Sequence, residues 1–505
     1  MNHTIPVSKS QRLQRAALIG LAALLAVNAL VVGVTYLFYP GYVDTGEPNI
    51  VALAWRLLDG HAVYVPIDDE TRITNLYGPY LYLIHAFALW AFGGLVAVGK
   101  APGVLAMAVA IFATFWAARK LGVRAAALAV AGLAVIIILN LPMTVWDRPE
   151  AFMLMATALA LTLMPTNAGT SGVAVRVIGL GCLIGFAMGL KVFAAVYFLP
   201  FGLLLLANDG FKAAVVSVLV AVTIVTVPFL TPYFDFTDMV GLIEVMSRKP
   251  DGDTSLSKLF RYAAYLLVPA LVLIGIGWRH MDAATRRNVL ILEIATAVGI
   301  VLVFYPAQKP GAGYYYLVPF APLSFVLAAM GLKAALSASN ATSGWVAIAL
   351  IVLLALPAVP IEKRFFRNLD WQTANGVADE INAINQAYAG RTIEIGIGHG
   401  YDSYRTTYQR TRLVFAGHPY TLDTSIVIDT TAWGVMLNDA TLAMMARCNT
   451  DIWLIPTGER PYDWLGYYGV DVYGQAFRDT FHSAYEKIES RTYFDIYGCR
   501  SLGGS

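Results

Sequence analysis

Twelve apolar segments fill most of the first 360 residues of this chain, and they decide what it can fold into. They run over about 16–38, 80–97, 101–118, 124–141, 150–164, 173–190, 192–207, 213–230, 262–278, 289–305, 314–332 and 343–360. A helix crosses a bilayer with about 20 apolar residues, so runs at this density specify an α-helical polytopic membrane protein. The charge content agrees: 13% of the 505 residues are Asp, Glu, Lys or Arg, against about 25% in soluble proteins. Lipid must cover the surface that charge would otherwise solvate. The net charge of +2 gives no basic field of the kind that binds nucleic acid.

The run Ala16 to Phe38 follows a short N-terminus carrying Lys9, Arg12 and Arg15. It is too long for a signal-peptide core and lacks a small-residue cleavage site, so it predicts a first spanning helix with its basic end in the cytoplasm. Two polar stretches interrupt the apolar pattern, Tyr39 to Asn75 and Thr231 to Arg261. In the first, Pro48 suits a first helical turn and Gly60 a helix end. Ile50, Leu53, Ala54, Leu57 and Leu58 recur between them at helical spacing, which predicts a short amphipathic helix able to lie flat on the membrane. Asp44 and Glu47 fall at its start, where the helix dipole stabilises negative charge. Beyond Pro360 the composition changes. Glu362-Lys363-Arg364 opens a tail with a helical pattern over Trp371 to Tyr388 and strand-like runs at Thr392 to Ile397 and Asp451 to Pro456. The expected organisation is a membrane domain over 1–360 and a soluble α/β domain over 361–505.

If all twelve segments cross, both termini are cytoplasmic. If the segment at 80–97 is juxtamembrane, eleven helices cross and the tail lies outside. Counting basic residues separates the two narrowly and favours the second, which places Arg119-Lys120, Arg279, Arg286-Arg287 and Lys333 inside. Asp44, Glu47, Lys100, Asp147-Arg148, Lys191 and Lys309 then share the outer face. A carboxylate beside several cations is what glycosyl transfer from a phosphate-linked sugar needs. The carboxylate takes the proton of an acceptor hydroxyl, and the cations hold the donor and stabilise the departing phosphate.

Each residue also has a structural role open to it. Asp44 and Glu47 can simply begin a helix, and Lys100 can snorkel from a helix end. Arg148 can pair with Asp147 or Glu150, and Lys309 can belong to an interfacial aromatic loop. Lys191 is the hardest to assign to structure alone, because it interrupts the apolar stretch Gly185 to Leu206. Tyr77, His85 and Tyr314 are candidate contacts to the sugar or acceptor. His85, His399 and His418 lack metal-ligand spacing, and Gly396-Ile397-Gly398-His399-Gly400 lacks the full dinucleotide fingerprint and reads as a turn. No metal ligand is assigned. Asp68-Asp69-Glu70 is acidic enough to bind a divalent cation, although it reads first as a solvated loop. Cys182 lies in an apolar helix as a core residue. Cys448 and Cys499 both lie in the tail, where an oxidising compartment would allow a disulfide.

Taken in order, these pieces resemble the GT-C superfamily of membrane glycosyltransferases, which includes protein mannosyltransferases and aminoarabinose transferases. The resemblance covers about residues 16–330. Asp44-Thr45-Gly46-Glu47-Pro48 follows the first helix, then Ala54-Trp55-Arg56-Leu57-Leu58-Asp59-Gly60 with Tyr64, then Leu76-Tyr77-Gly78-Pro79-Tyr80-Leu81-Tyr82. Arg148-Pro149-Glu150, Gly189-Leu190-Lys191 and Tyr315-Tyr316-Leu317-Val318-Pro319 are similar to later signatures of the family. The resemblance implies a catalytic carboxylate in the first outer loop, a polyprenyl-phosphate sugar donor, a glycan, lipid or protein acceptor, and a site at the outer face of a bacterial cytoplasmic membrane. The acidic pair departs from the family pattern: Asp44 and Glu47 stand three apart rather than adjacent. Asp44 is expected to be the base, with Glu47 as the second carboxylate. Lys100, Arg148, Lys191 and Lys309 are expected to bind the donor phosphate. The rival reading is a transporter or flippase of lipid-linked saccharides. Such proteins often show internal repeats with broken helices in matching halves, and this sequence shows no such symmetry. A non-catalytic scaffold would leave Lys191 unexplained.

Overall fold

The computed structural model describes residues 9–164, 171–248, 256–309, 311–338, 342–400 and 403–500. Among these, eight helices are long and apolar enough to cross a membrane, beginning with α1 (Lys9–Phe38). Four shorter apolar helices, Pro79–Phe92, Val123–Leu139, Pro149–Thr162 and Gly172–Met188, account for the rest of the twelve segments. Every apolar run is thus helical, because only a helix satisfies its own backbone where water is absent.

The chain forms two compact units. The first comprises Met1–Tyr36, Gly103–Thr226 and Pro250–Arg367. Its helices approach closely where glycine replaces a side chain. A Cβ on Gly181 would stand 2.6 Å from the Ser217 carbonyl oxygen, and one on Gly185 would stand 2.5 Å from that of Ala221. These two glycines are four apart on one helix face, so the helix Phe211–Thr226 lies almost backbone to backbone against them.

The second unit comprises Leu37–Pro102, Val227–Lys249 and Asn368–Ser505. The residues from Asn368 on thus group with two earlier stretches of the chain, one of which holds the acidic loop. The unit contains α2 (Gly46–Leu58) and α3 (Pro79–Phe92). Gly60 follows α2 with φ +84°, the left-handed conformation that commonly ends a helix. The expected stripe on α2 is present, but all residues from Glu47 to Ala54 are buried. The helix is enclosed by protein over its first two turns, where amphipathicity alone suggested one face on lipid. Val51 and Ala54 pack with Ala86 and Leu89 of α3, and the Trp55 ring meets Phe415 edge-on at 5.1 Å.

The tail carries a four-stranded mixed sheet of β1 (Ile393–Ile395), β2 (Ile452–Pro456), β3 (Tyr485–Ser490) and β4 (Phe494–Cys499), in the order β1-β2-β4-β3. β1 runs parallel to β2, and the other pairs are antiparallel. Alternate residues of β2 and β4 serve two cores. Ile452, Leu454, Phe494 and Ile496 pack against Val377, Ile381 and Ile384 of the helix Trp371–Ala387. Trp453, Ile455 and Tyr497 join an aromatic cluster with Tyr462, Phe477 and Phe481 on the other face.

Cys448 and Cys499 form a disulfide with Cα atoms 6.0 Å apart, closing a loop of sequence separation 51. A link of this span stabilises a domain by about 2–4 kcal/mol. Replacing both cysteines by serine should speed hydrogen exchange of the β2 and β4 amides accordingly, with α1 unaffected. Unchanged exchange in the sheet would refute that contribution.

Candidate functional site

In the second unit, Lys100 is fully buried, and its Nζ donates to the Gly41 carbonyl at 2.9 Å and the Tyr39 carbonyl at 2.5 Å. The Tyr39 and Tyr42 rings flank it at 5.5 and 5.7 Å. Burial, with Asp370 second, pushes the Tyr39 phenol up to about 12. Lys100 thereby fastens the chain that leaves α1. The acidic loop follows. Glu47 is fully buried, and its Oε2 accepts from the Val43 and Asp44 amides at 3.1 and 3.0 Å. Asp44 Oδ1 accepts from the Gly46 amide at 2.9 Å, and the residue is only partly buried. The two carboxylates therefore differ: Glu47 closes the loop from inside, while Asp44 sits at its partly open side. Tyr77 is buried, and its carbonyl accepts from the Tyr64 hydroxyl at 2.6 Å. His85 on α3 is also buried. Its Nδ1 donates to the Gly99 carbonyl at 2.8 Å. In the acidic stretch further on, Asp69 accepts from Thr71, and Glu70 pairs with Arg447 at 2.9 Å. Among the described residues, no three His, Cys, Asp or Glu side chains converge to hold a metal.

The same unit contains an open apolar groove of about 530 Å³. Leu57 of α2, Tyr80, Phe87 and Trp90 of α3, and Phe234 line it.

In the first unit, Lys191 and Glu150 form a buried ion pair, Nζ to Oε1, at 2.6 Å. Each sits where the backbone favours it. Glu150 is in the first turn of the helix Pro149–Thr162, which stabilises an anion, and Lys191 is the extended residue before a 3-10 turn, Val192–Phe198. The Lys191 ammonium lies 3.9 Å from the centre of the Tyr316 ring, and Trp146 Nε1 donates to the second Glu150 oxygen at 3.2 Å. The Arg148 guanidinium stacks on Trp146 at 4.3 Å, and Asp147 is buried beside them in sequence. Tyr314 stacks on Tyr262 with centroids 4.0 Å apart, and Lys309 lies 4.9 Å from the Tyr305 ring centre. Predicted residues thus fall near one another within each unit: Lys100 holds the backbone just before the acidic loop in one, and Lys191 pairs with Glu150 beside the Arg148 segment in the other. Sequence reasoning named Glu150 as a partner open to Arg148 and as the acid of Arg148-Pro149-Glu150, and it missed the pairing of Glu150 with Lys191. The signal was available, because a lysine inside an apolar stretch demands a counter-charge.

An N-terminal apolar helix, an acidic loop followed by two helices, further apolar helices and a C-terminal mixed sheet make up a fold that is shared with solved structures. Among solved structures, ArnT from Cupriavidus metallidurans bound to undecaprenyl phosphate is similar at TM-score 0.58, with 14% identity over 96% of this chain and 99% of that one. The same enzyme in the apo state gives 0.56 and 15%, over 96% and 99% of the two chains. The Archaeoglobus fulgidus oligosaccharyltransferase in the apo form gives 0.48 and 12%, over 92% of this chain and 73% of that one. Neither a protein-family model nor a curated protein matches the sequence. At these identities the likeness is one of fold.

Proposed function

We propose that the chain is an inverting glycosyltransferase that moves a sugar from a polyprenyl-phosphate donor to a glycan, lipid or protein acceptor of the cell envelope. The observation that carries the reading is the fold, which runs the full length of a protein described in complex with undecaprenyl phosphate. The apolar groove beside Trp90 is of a size to take part of an isoprenoid chain. Asp44 is the general base, since its carboxylate sits at the partly open side of the loop that Glu47 closes. Lys100, Arg148, Lys191 and Lys309 are the proposed ligands of the donor phosphate. Tyr77, His85 and Tyr314 are proposed to shape the sugar and acceptor sites through the backbone and stacking contacts they make. The reaction is placed at the outer face of a bacterial cytoplasmic membrane with the tail extracytoplasmic. The tail disulfide supports that side, because such bonds persist in oxidising compartments.

Two measurements test the reading. The purified protein should bind undecaprenyl phosphate, and a surplus of decyl phosphate should compete poorly. A reporter active only outside the cytoplasm, fused after Ser505, should be active. A silent, well-expressed fusion would reverse the topology, and absence of lipid-phosphate binding would remove the proposed substrate class.

A further inference from the structure

The second unit holds a buried polar network that the reaction scheme does not use. Asn49, in the first turns of α2, is fully buried among apolar neighbours. Its amide nitrogen donates to the Ile73 carbonyl and to the Tyr420 hydroxyl, both at 3.0 Å, and its oxygen accepts from Asn75 at 3.0 Å. The Tyr420 hydroxyl donates in turn to Asp423 Oδ2 at 2.5 Å, and Arg410 Nη1 reaches the same oxygen at 2.5 Å. Asp423 also caps the helix Thr424–Ala432 through the amides of Ser425 and Ile426. Burial alone would depress the Arg410 guanidinium, but Asp423, then Tyr420 and Tyr404, hold it charged. A second attachment lies one turn earlier, where the Tyr404 hydroxyl meets Thr45 Oγ1 at 2.6 Å, next to Asp44. Arg412 adds a bond to the Pro40 carbonyl at 2.8 Å, and Arg56 one to the Tyr420 carbonyl at 3.0 Å.

Buried polar groups of this kind are costly unless satisfied, and a satisfied network fixes one geometry. We propose that Tyr420 and Tyr404 are positioning residues: the tail segment Tyr404–Asp423 clamps Thr45 and Asn49 and so sets the conformation of the loop carrying Asp44 and Glu47. What the loop does chemically rests on the proposed function, but the clamp itself does not.

The test is hydrogen exchange on the full-length protein. Tyr420→Phe and, separately, Tyr404→Phe should each speed exchange of the Val43 and Asp44 amides by about tenfold, the loss of one strong hydrogen bond. The β1 and β4 amides should keep their wild-type rates. Tyr388→Phe is the control: it removes a hydroxyl bond of 2.7 Å to Glu489 inside the tail and should leave the loop unchanged. A loop that exchanges at the wild-type rate in both clamp variants overturns the proposal. So does equal acceleration of loop and sheet, which would mark general destabilisation. In a turnover assay with a polyprenyl-phosphate sugar, the clamp variants should lower kcat and leave KM for the donor unchanged. Absence of turnover by the wild-type protein would count against the glycosyltransferase reading, while the exchange result would still decide the clamp.

Discussion

Asp44→Asn is expected to lose turnover by about 100-fold or more while keeping expression and undecaprenyl phosphate binding. The asparagine preserves shape and can still accept the Gly46 amide bond that Asp44 makes at 2.9 Å. It cannot take a proton from an attacking hydroxyl. Glu47→Gln should cost less, about tenfold, and by another route. The Glu47 carboxylate accepts two backbone amides, and an uncharged acceptor holds them less strongly. Its lesion should therefore show as faster exchange of the Val43 and Asp44 amides, which Asp44→Asn should leave slow. Full activity in both variants would sink the mechanism. A 100-fold loss in Glu47→Gln with an unaltered loop would transfer the base to Glu47.

Lys191→Ala should lose about 3–5 kcal/mol of stability. Sequence alone predicts that this variant folds normally and merely weakens donor binding. The structure alters that expectation, because Glu150 is 0% and Lys191 4% exposed, so removing the lysine leaves a buried carboxylate without its ion-pair partner. The pair itself is worth little net, since desolvation offsets its attraction. The double variant Lys191→Met with Glu150→Gln should therefore regain most of the loss, read as thermal unfolding in detergent. Donor binding is properly tested in that double variant. Lost affinity there, with recovered stability, would assign Lys191 to the phosphate. A double variant no more stable than Lys191→Ala would mean that the ion pair is not what the single substitution breaks.

The membrane part of the fold was legible because lipid leaves the backbone one solution, and twelve apolar runs became helices without exception. The helix Trp371–Ala387 and strands β1 and β2 were legible from period and β-branched content. The hairpin of β3 and β4 was not. β3 reads Tyr-Glu-Lys-Ile-Glu-Ser, mostly exposed, and gives no apolar alternation to find. Of the site, the charged residues announced themselves by standing out in apolar surroundings. Asn49 did not, because a lone amide off the apolar stripe looks solvent-facing. Only the tertiary partners Tyr420 and Asn75 explain its burial. Tyr404 and Arg410 were silent for the same reason: their partners lie hundreds of residues away or in a loop of no regular pattern.

The discontinuous make-up of the second unit has a consequence for biosynthesis. Helix α2 leaves the ribosome roughly 360 residues before Asp423. At about 5–20 residues per second, that interval is from under twenty seconds to more than a minute. Throughout it, Asn49 lacks its Tyr420 partner, and the acidic loop lacks the residues that later hold it. Every nascent chain therefore passes through an interval in which its apolar helices can already be inserted while the segment bearing Asp44 is still unfinished. A premature stop between the last apolar helix and Tyr404 would yield a product with its apolar helices complete but its acidic loop unclamped, the kind of species that cellular quality control recognises by exposed polar and apolar surface.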